Sequence, residues 1–189
     1  MATLSAASVI FIGPVCAGKS TLAGLVASNL GWPRASLDDL VWTYGASEGS
    51  RDKRLRPPLP ELFVRAVERI VAEHPGHVID LGAGHTHIND PNLFRRLRHA
   101  VAPCRDVILL LPSRDPDESI EILKERARRL RGHDWVRNGV DHIARWVRDP
   151  PNYELATHIV YTENQTPQQS CDLLLRGLAD SGESPSPRA

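Results

Sequence analysis

The chain has 189 residues, which fits one domain on the prior of roughly 150 residues per domain and excludes two large ones. Apolar residues make up 41% and charged residues 24%, and the 23 Lys and Arg balance the 23 Asp and Glu. This balance excludes a global basic field that would gather nucleic acid or an anionic membrane. The cysteines, odd in number and without metal-ligand spacing, favour a reducing, cytoplasmic compartment over a disulfide framework or a zinc ribbon. They are Cys16, Cys104 and Cys171.

The amino-terminal segment predicts neither a signal peptide nor a membrane span. Its first 18 residues have no side-chain charge and thus no basic n-region. Gly13, Pro14 and Lys19 also interrupt the apolar run far short of the ~20 residues that a spanning helix needs.

Short runs of β-branched and aliphatic residues alternate with segments of helical period along the chain. This alternation is typical of a parallel sheet covered by helices on both faces, so we predict an α/β fold. The predicted strands are residues 9–12, 35–37, 77–79, 107–111 and 158–161.

Two early helices are predicted from apolar residues at helical spacing. The first runs from Lys19 to just before Gly31, and the second lies between Pro60 and the Pro75-Gly76 pair. Their apolar residues are Leu22, Leu25, Val26 and Leu30 in the first, and Phe63, Val67, Ile70 and Val71 in the second.

A third helix is predicted over residues 116–131. Asp115 can cap it, Pro116 takes the first helical position, and Glu118 completes a capping box. Gly132 ends this helix. Its predicted apolar face is Ile120, Leu123, Ala127 and Leu130.

The carboxyl-terminal part predicts a short helix over residues 140–148, which ends at Pro150-Pro151. A last helix begins at Thr166-Pro167, with Gln169 placed for a second capping box. Residues 180–189, with their Ser-Pro repeats, predict a disordered tail, so a single domain is expected over residues 1–179.

The segment 13–20 matches the phosphate-binding motif G-x-x-x-x-G-K-[ST] in full, between a predicted strand and a predicted helix. In such a loop the backbone N–H groups and the helix N-terminus face phosphate oxygens. Lys19 is expected to reach the β- and γ-phosphates, and Ser20 to ligate Mg²⁺. Thr21 either caps the helix start or contacts the α-phosphate. The predicted nucleotide-binding residues are Gly13, Val15, Cys16, Ala17, Gly18, Lys19, Ser20 and Thr21.

Two carboxylates are predicted at the same sheet edge. Asp38, preferred over its neighbour Asp39, follows the second strand, where it could accept the proton of an attacking hydroxyl; the alternative is a helix N-cap pair. Asp80 ends the third predicted strand as a candidate Mg²⁺ ligand, or merely precedes a turn.

The segment Gly82, Ala83 and Gly84 is predicted to cradle the substrate with exposed backbone N–H groups. His85, His87 and Asp90 could be drawn as a metal site, but two histidines in a loop without a third soft ligand are usually polar surface.

Five positive charges lie within the eight residues 124–131. In a phosphoryl-transfer enzyme they would form a lid, here expected over residues 124–139, that brings guanidinium groups to the phosphoryl group and excludes water. Arg126 and Arg129 are the preferred pair because residues three apart share a helix face. The alternative is a solvated helix face.

With these motifs in order, the chain resembles the shikimate kinase-like branch of the P-loop small-molecule kinases. The resemblance adds the 30–31 Leu-Gly pair, Phe63, Arg65 and Glu68, and the 156–162 segment before Thr166-Pro167. It implies a five-stranded parallel sheet in the order 2-3-1-4-5, Mg·ATP as phosphoryl donor and a small-molecule hydroxyl as acceptor. It also implies that Arg65 contacts the substrate and that residues 163–165 flank the adenine.

The chain departs from the pattern of that family at the acceptor side. Val64 stands where an arginine is expected, Tyr153 where another is expected, and Ser36 where the family has an aspartate. Losing guanidinium groups removes the bidentate grip on a carboxylate, which disfavours shikimate itself. We therefore expect an ATP-dependent kinase of a related polyol, sugar acid, nucleoside or natural product. The alternatives are a regulatory ATP-binding protein and a nucleotide or nucleic-acid 5′-end kinase.

Overall fold

The computed structural model of the chain describes residues 8–45 and 59–180. The strands are β1 (Val9–Ile12), β2 (Arg34–Ser36), β3 (Val78–Asp80), β4 (Asp106–Leu111), β5 (Val136–Arg137), β6 (Val140–Asp141) and β7 (His158–Tyr161). The helices are α1 (Lys19–Leu30), α2 (Leu37–Gly45), α3 (Leu59–Glu73), α4 (Pro91–Val101), α5 (Pro116–Arg131), α6 (His142–Val147), α7 (Pro150–Leu155) and α8 (Pro167–Asp180). The predicted disordered tail lies outside the described residues except Asp180, which ends α8.

A five-stranded parallel sheet in the order β2-β3-β1-β4-β7 organises the fold. The antiparallel strands β5 and β6 form a separate two-stranded hairpin, so β7 is the fifth strand of the main sheet and the predicted order is confirmed. Every residue of the central strands β1 and β4 is buried, as expected for a sheet covered on both faces.

Strand register brings the functional segments to one edge of the sheet. Phe11 of β1 and Ser36 of β2 are both in register with Asp80 of β3. Because parallel strands end at the same edge, the segments that follow β1, β2 and β3 converge there.

Side-chain caps begin several of the helices. The box at α8 is confirmed: Gln169 Oε1 accepts from Thr166 N at 2.8 Å, and Thr166 Oγ1 accepts from Gln169 N at 3.2 Å. Asp115 caps α5 by accepting from Asp117 N at 2.8 Å. The predicted box at α5 is wrong, because Glu118 Oε2 accepts from Ser113 Oγ at 2.6 Å instead.

Several boundaries differ from the sequence predictions. Leu37, predicted in the second strand, begins α2. Val140, predicted in a helix, lies in β6, and α6 begins only after Asp141, whose carboxylate accepts from Ala144 N at 2.9 Å. Pro150 starts α7 rather than a loop, because proline fits the first helical turn. The prediction omitted α4 as well. Within the described ranges, no helix has the length and hydropathy to cross a bilayer.

Candidate active site

The loop between β1 and α1 has the geometry that its sequence predicts. Gly13 has a φ of +128°, and a Cβ there would lie 2.7 Å from the carbonyl oxygen of Leu110, so only glycine fits. Gly18, with a φ of +97°, precedes Lys19, the first residue of α1. The backbone N–H groups at the start of α1 are thus directed into the loop, as anion binding requires.

Lys19 is buried beneath this loop. Its Nζ donates to the carbonyl oxygen of Pro14 at 2.8 Å, which holds the ammonium group across the loop. Burial lowers the pKa of Lys19, while the nearby charges of Asp80 and Asp38 oppose this shift. Phosphate oxygens would stabilise this desolvated cation further.

Asp80, at the end of β3, is joined to the loop through Ser20. The Ser20 hydroxyl donates to Asp80 Oδ2 at 2.5 Å, and Arg34 Nη2 lies 3.4 Å from the same oxygen. Asp80 is 2% exposed, and its Oδ1 has no hydrogen-bond partner among the described residues. A hydroxyl and a carboxylate with a free oxygen are the hard ligands that Mg²⁺ prefers, so these residues fit that ion.

Asp38 faces the phosphate-binding loop from the first turn of α2. It lies in a helix rather than at a strand end, because α2 follows β2 without a loop. Asp38 is exposed, with a carboxylate open to a ligand. It lines a cavity of about 380 Å³, which we call the phosphate cavity. The lining residues are Val15, Cys16, Gly18, Lys19, Ser20, Thr21, Asp38, Ala83, Leu130 and Arg131.

The loop after β3 borders this cavity next to Asp38. Ala83 lines the cavity, Gly82 lies against Asp38, and Gly84 faces the indole of Trp146. Two polar residues of the loop are not the surface residues that the sequence suggests: His85 is 6% exposed, and His87 Nδ1 lies 2.5 Å from the buried carboxylate of Asp149. Asp90 caps α4. No group of three potential metal-ligating side chains occurs in the described part of the chain.

A second cavity of about 180 Å³ lies beside the start of α1. We call it the base cavity, after the nucleotide base that the family resemblance leads us to expect there. Its lining residues are Ala17, Gly18, Thr21, Leu22, Arg126, Thr162, Gln165, Pro167 and Ser170. The cavity includes Gln165 of the three residues expected to flank the adenine, but neither Glu163 nor Asn164. Thr162 Oγ1 is buried and has no hydrogen-bond partner in the described ranges, so an unpaired polar atom lies beside this cavity.

Two arginines of α5 line the cavities, one in each. Arg126 lines the base cavity, whereas Arg131, which sequence reasoning did not single out, lines the phosphate cavity. Arg129 is exposed and lines neither. Leu130, predicted on the buried face of α5, is 63% exposed and borders the phosphate cavity.

Carboxylates of α3 pair with Arg65 of the same helix and with Arg96 of α4. Arg65 Nε donates to Glu61 at 2.8 Å, and Arg96 of α4 donates to Glu61 at 2.9 Å and to Glu68 at 2.7 and 2.9 Å. Val64 is fully buried, and the Tyr153 hydroxyl donates to the carbonyl oxygen of Val147 at 2.9 Å. Neither of these two residues replaces the missing guanidinium groups.

Comparison with known proteins defines the class of fold. No family model matches the chain, and no curated protein matches it by sequence. Solved structures do match over nearly the whole chain. Shikimate kinase from Acinetobacter baumannii, in complex with shikimate, is 16% identical with a TM-score of 0.67, covering 96% of this chain and 97% of the other.

Two further structures extend the range of neighbours. A gluconokinase from Sinorhizobium meliloti 1021 is 18% identical with a TM-score of 0.57, covering 93% of each chain. The Deinococcus radiodurans tunicamycin resistance protein is 18% identical with a TM-score of 0.55, covering 97% of this chain and 99% of the other.

The fold is therefore that of the P-loop proteins with a three-layer α/β architecture. Within that class it is the shikimate kinase-like fold, in agreement with the resemblance drawn from the sequence.

Proposed function

We propose that the chain is an ATP-dependent kinase that transfers the γ-phosphoryl group of Mg·ATP to a hydroxyl of a small molecule. One observation carries this proposal: Lys19 and Ser20 of the phosphate-binding loop and the open carboxylate of Asp38 line the same cavity. A donor site and a candidate base thus share one space of about 380 Å³.

Each residue has a role that follows from its position. Lys19 holds the β- and γ-phosphates, and the loop residues bind them through backbone N–H groups. Ser20 and Asp80 would hold Mg²⁺, which would supply positive charge to neutralise the phosphate oxygens. Arg126 contacts the nucleotide from the base cavity, and Arg131 and Arg129 are the lid residues from which further positive charge is available.

The transfer itself is an in-line displacement. Asp38 accepts the proton of the acceptor hydroxyl, the hydroxyl oxygen bonds to the γ-phosphorus, and the bond from phosphorus to the bridging oxygen of ADP breaks. Gly82, Ala83 and Gly84 hold the acceptor from the opposite side, with the lid excluding water.

The class of acceptor that we propose follows from the pairing of Arg65 within α3. Because Arg65 is paired with Glu61, it is poorly placed to grip a carboxylate, which supports an acceptor other than shikimate. Of the expected classes, polyols, nucleosides and hydroxylated natural products need no carboxylate grip and are the ones we propose, with sugar acids in the screen as the carboxylate-bearing comparison. The three free thiols fit the reducing conditions of the cytoplasm, where we place the enzyme.

A mass-spectrometric screen tests the proposal. The full chain is incubated with Mg·ATP and a panel of these acceptors, and the expected result is one product heavier by a single phosphoryl group. Lys19→Ala should abolish product formation. Asp38→Asn should also remove it, while the matched control Asp39→Asn, in the same helical turn but outside the cavity, should not.

Other results would contradict the proposal. Tight nucleotide binding without a phosphorylated product from any acceptor class would favour a regulatory ATP-binding protein. A salt-sensitive affinity for oligonucleotides, with phosphate added to a 5′ end, would favour a nucleic-acid kinase.

A further inference from the structure

The imidazole of His85 is buried next to the proposed catalytic carboxylate. His85 is 6% exposed, and its Nε2 lies 3.8 Å from Asp38 Oδ1. The other side of the ring packs against Phe63 of α3, with 4.8 Å between the ring centroids. No step of the proposed phosphoryl transfer uses the imidazole of His85.

The backbone at residue 82 makes this approach possible. A Cβ at Gly82 would lie 1.9 Å from Asp38 Oδ1 and 2.8 Å from His85 Cε1. Any side chain there would therefore separate the two groups. Glycine leaves the carboxylate and the imidazole to face each other across one shared space.

The surroundings of His85 indicate which nitrogen carries the proton. Burial and the charge of Lys19 lower the pKa of His85, whereas Asp38 and Asp80 raise it; burial is the largest of these effects, so the ring is neutral near pH 7. Its Nδ1 is buried and has no hydrogen-bond partner among the described residues. A bare nitrogen costs less there than an unpaired N–H group, which places the proton on Nε2, facing Asp38.

We propose that His85 is a positioning residue for phosphoryl transfer, whose Nε2–H group orients the carboxylate of Asp38 so that its second oxygen receives the acceptor's proton. The proposal rests on the function proposed above. The 3.8 Å separation is longer than a hydrogen bond, and it shortens when an acceptor fills the cavity, as catalytic contacts commonly do. The proton on His85 stays in place throughout.

An NMR titration of the histidines tests the pairing without any acceptor. In the full chain, Asp38→Asn should lower the pKa of His85 further, because a charge that raises it is lost. The matched control Asp39→Asn should leave that pKa unchanged. Equal His85 titrations in the two variants would overturn the proposal.

Kinetics with an acceptor from the screen test the consequence. His85→Phe keeps the ring packing on Phe63 but removes the donor, and it should lower kcat about 10- to 100-fold with the KM for ATP unchanged. His85→Gln restores an N–H donor and should recover part of the loss.

The control for these variants is His77→Phe, since His77 precedes β3 at the opposite end from Asp80. Unchanged kcat in both His85→Phe and His77→Phe would refute the positioning role. If His85→Phe does not fold, His85→Gln is compared with His77→Phe instead. A lower kcat in His85→Gln then supports the positioning role, and an equal kcat refutes it. Failure of every acceptor in the screen would refute the proposed function, whereas the titration judges the Asp38–His85 pairing separately.

Discussion

The hydroxyl of Ser20 donates to Oδ2 of Asp80 at 2.5 Å, joining the phosphate-binding loop to the end of β3. The two residues are 60 positions apart in the chain, yet the sheet register brings them together. Because Asp80 Oδ1 is unpaired within the described ranges, this carboxylate retains a free ligand atom for a cation.

Asp80→Asn should therefore weaken the magnesium-dependent part of nucleotide binding. We expect the gain in ATP affinity on adding Mg²⁺ to fall about 10- to 100-fold, with metal-free binding little changed. Isothermal titration calorimetry with and without Mg²⁺ measures this. Asp106→Asn is the matched control, because Asp106 is also a buried strand aspartate. It begins β4, at the opposite end of the strands from Asp80, and pairs with Arg105. An equal loss in both variants would argue against a metal ligand at Asp80.

Gly82→Ala should impair transfer without impairing nucleotide binding. The added methyl group would collide with Asp38 Oδ1, so the carboxylate must move, and we expect kcat to fall about 100-fold. Gly24→Ala is the control, since a Cβ at this position in α1 has no neighbour within 4 Å. That variant should instead be more stable by about 0.5–1 kcal/mol in urea unfolding. Normal turnover in Gly82→Ala would contradict the position assigned to Asp38.

The three thiols should differ in reactivity. Burial raises the pKa of Cys104 to about 11 and also raises the pKa of Cys171, so few thiolates form at pH 8. Cys16 lines the phosphate cavity and is half-buried. We expect iodoacetamide to label Cys16 first, and bound Mg·ATP to protect it, as read by peptide mass spectrometry. Labelling of Cys104 at the same rate in the folded protein would disprove this order.

The buried histidine should make stability depend on pH. Because the folded pKa of His85 lies below the unfolded value of 6.5, the unfolded chain binds the proton more readily. The contribution of His85 to the free energy of unfolding is thus undiminished above pH 6.5 and is lost as the pH falls below it. Urea unfolding at pH 7.5 and 5.5 should show a smaller loss in His85→Phe than in the parent chain. Equal losses would show that His85 protonates as easily in the folded state.

The sequence predicts those features that short segments encode. The phosphate-binding loop lies within eight consecutive residues, and the box at Thr166 and Gln169 needs only four. The start of α4 was also readable, since Asp90 and Pro91 precede apolar residues at helical spacing, although the prediction omitted this helix. The hairpin of β5 and β6 has two-residue strands, which are too short for an alternating pattern to show.

Long-range packing decides what the sequence could not show. His85 looks like a loop residue of the surface, and only the packing of Phe63 and the approach of Asp38 bury it. The family resemblance assigns Arg65 to substrate binding, but its guanidinium group is paired with the carboxylate of Glu61, one helical turn earlier. The burial of His85 depends on tertiary contacts that residue spacing does not specify, whereas the Glu61–Arg65 pair follows from (i, i+4) spacing within α3 and was readable from the sequence.

One guanidinium group, that of Arg96, spans two turns of α3 by bonding both Glu61 and Glu68. These bonds brace α3 and α4 in a fixed position relative to each other. Under the proposed function, a change of acceptor would leave this brace intact and would fall instead on the segment that ends at Trp146, whose indole faces Gly84. Variation among relatives should concentrate there, and a library aimed at new acceptors is best confined to residues 133–146.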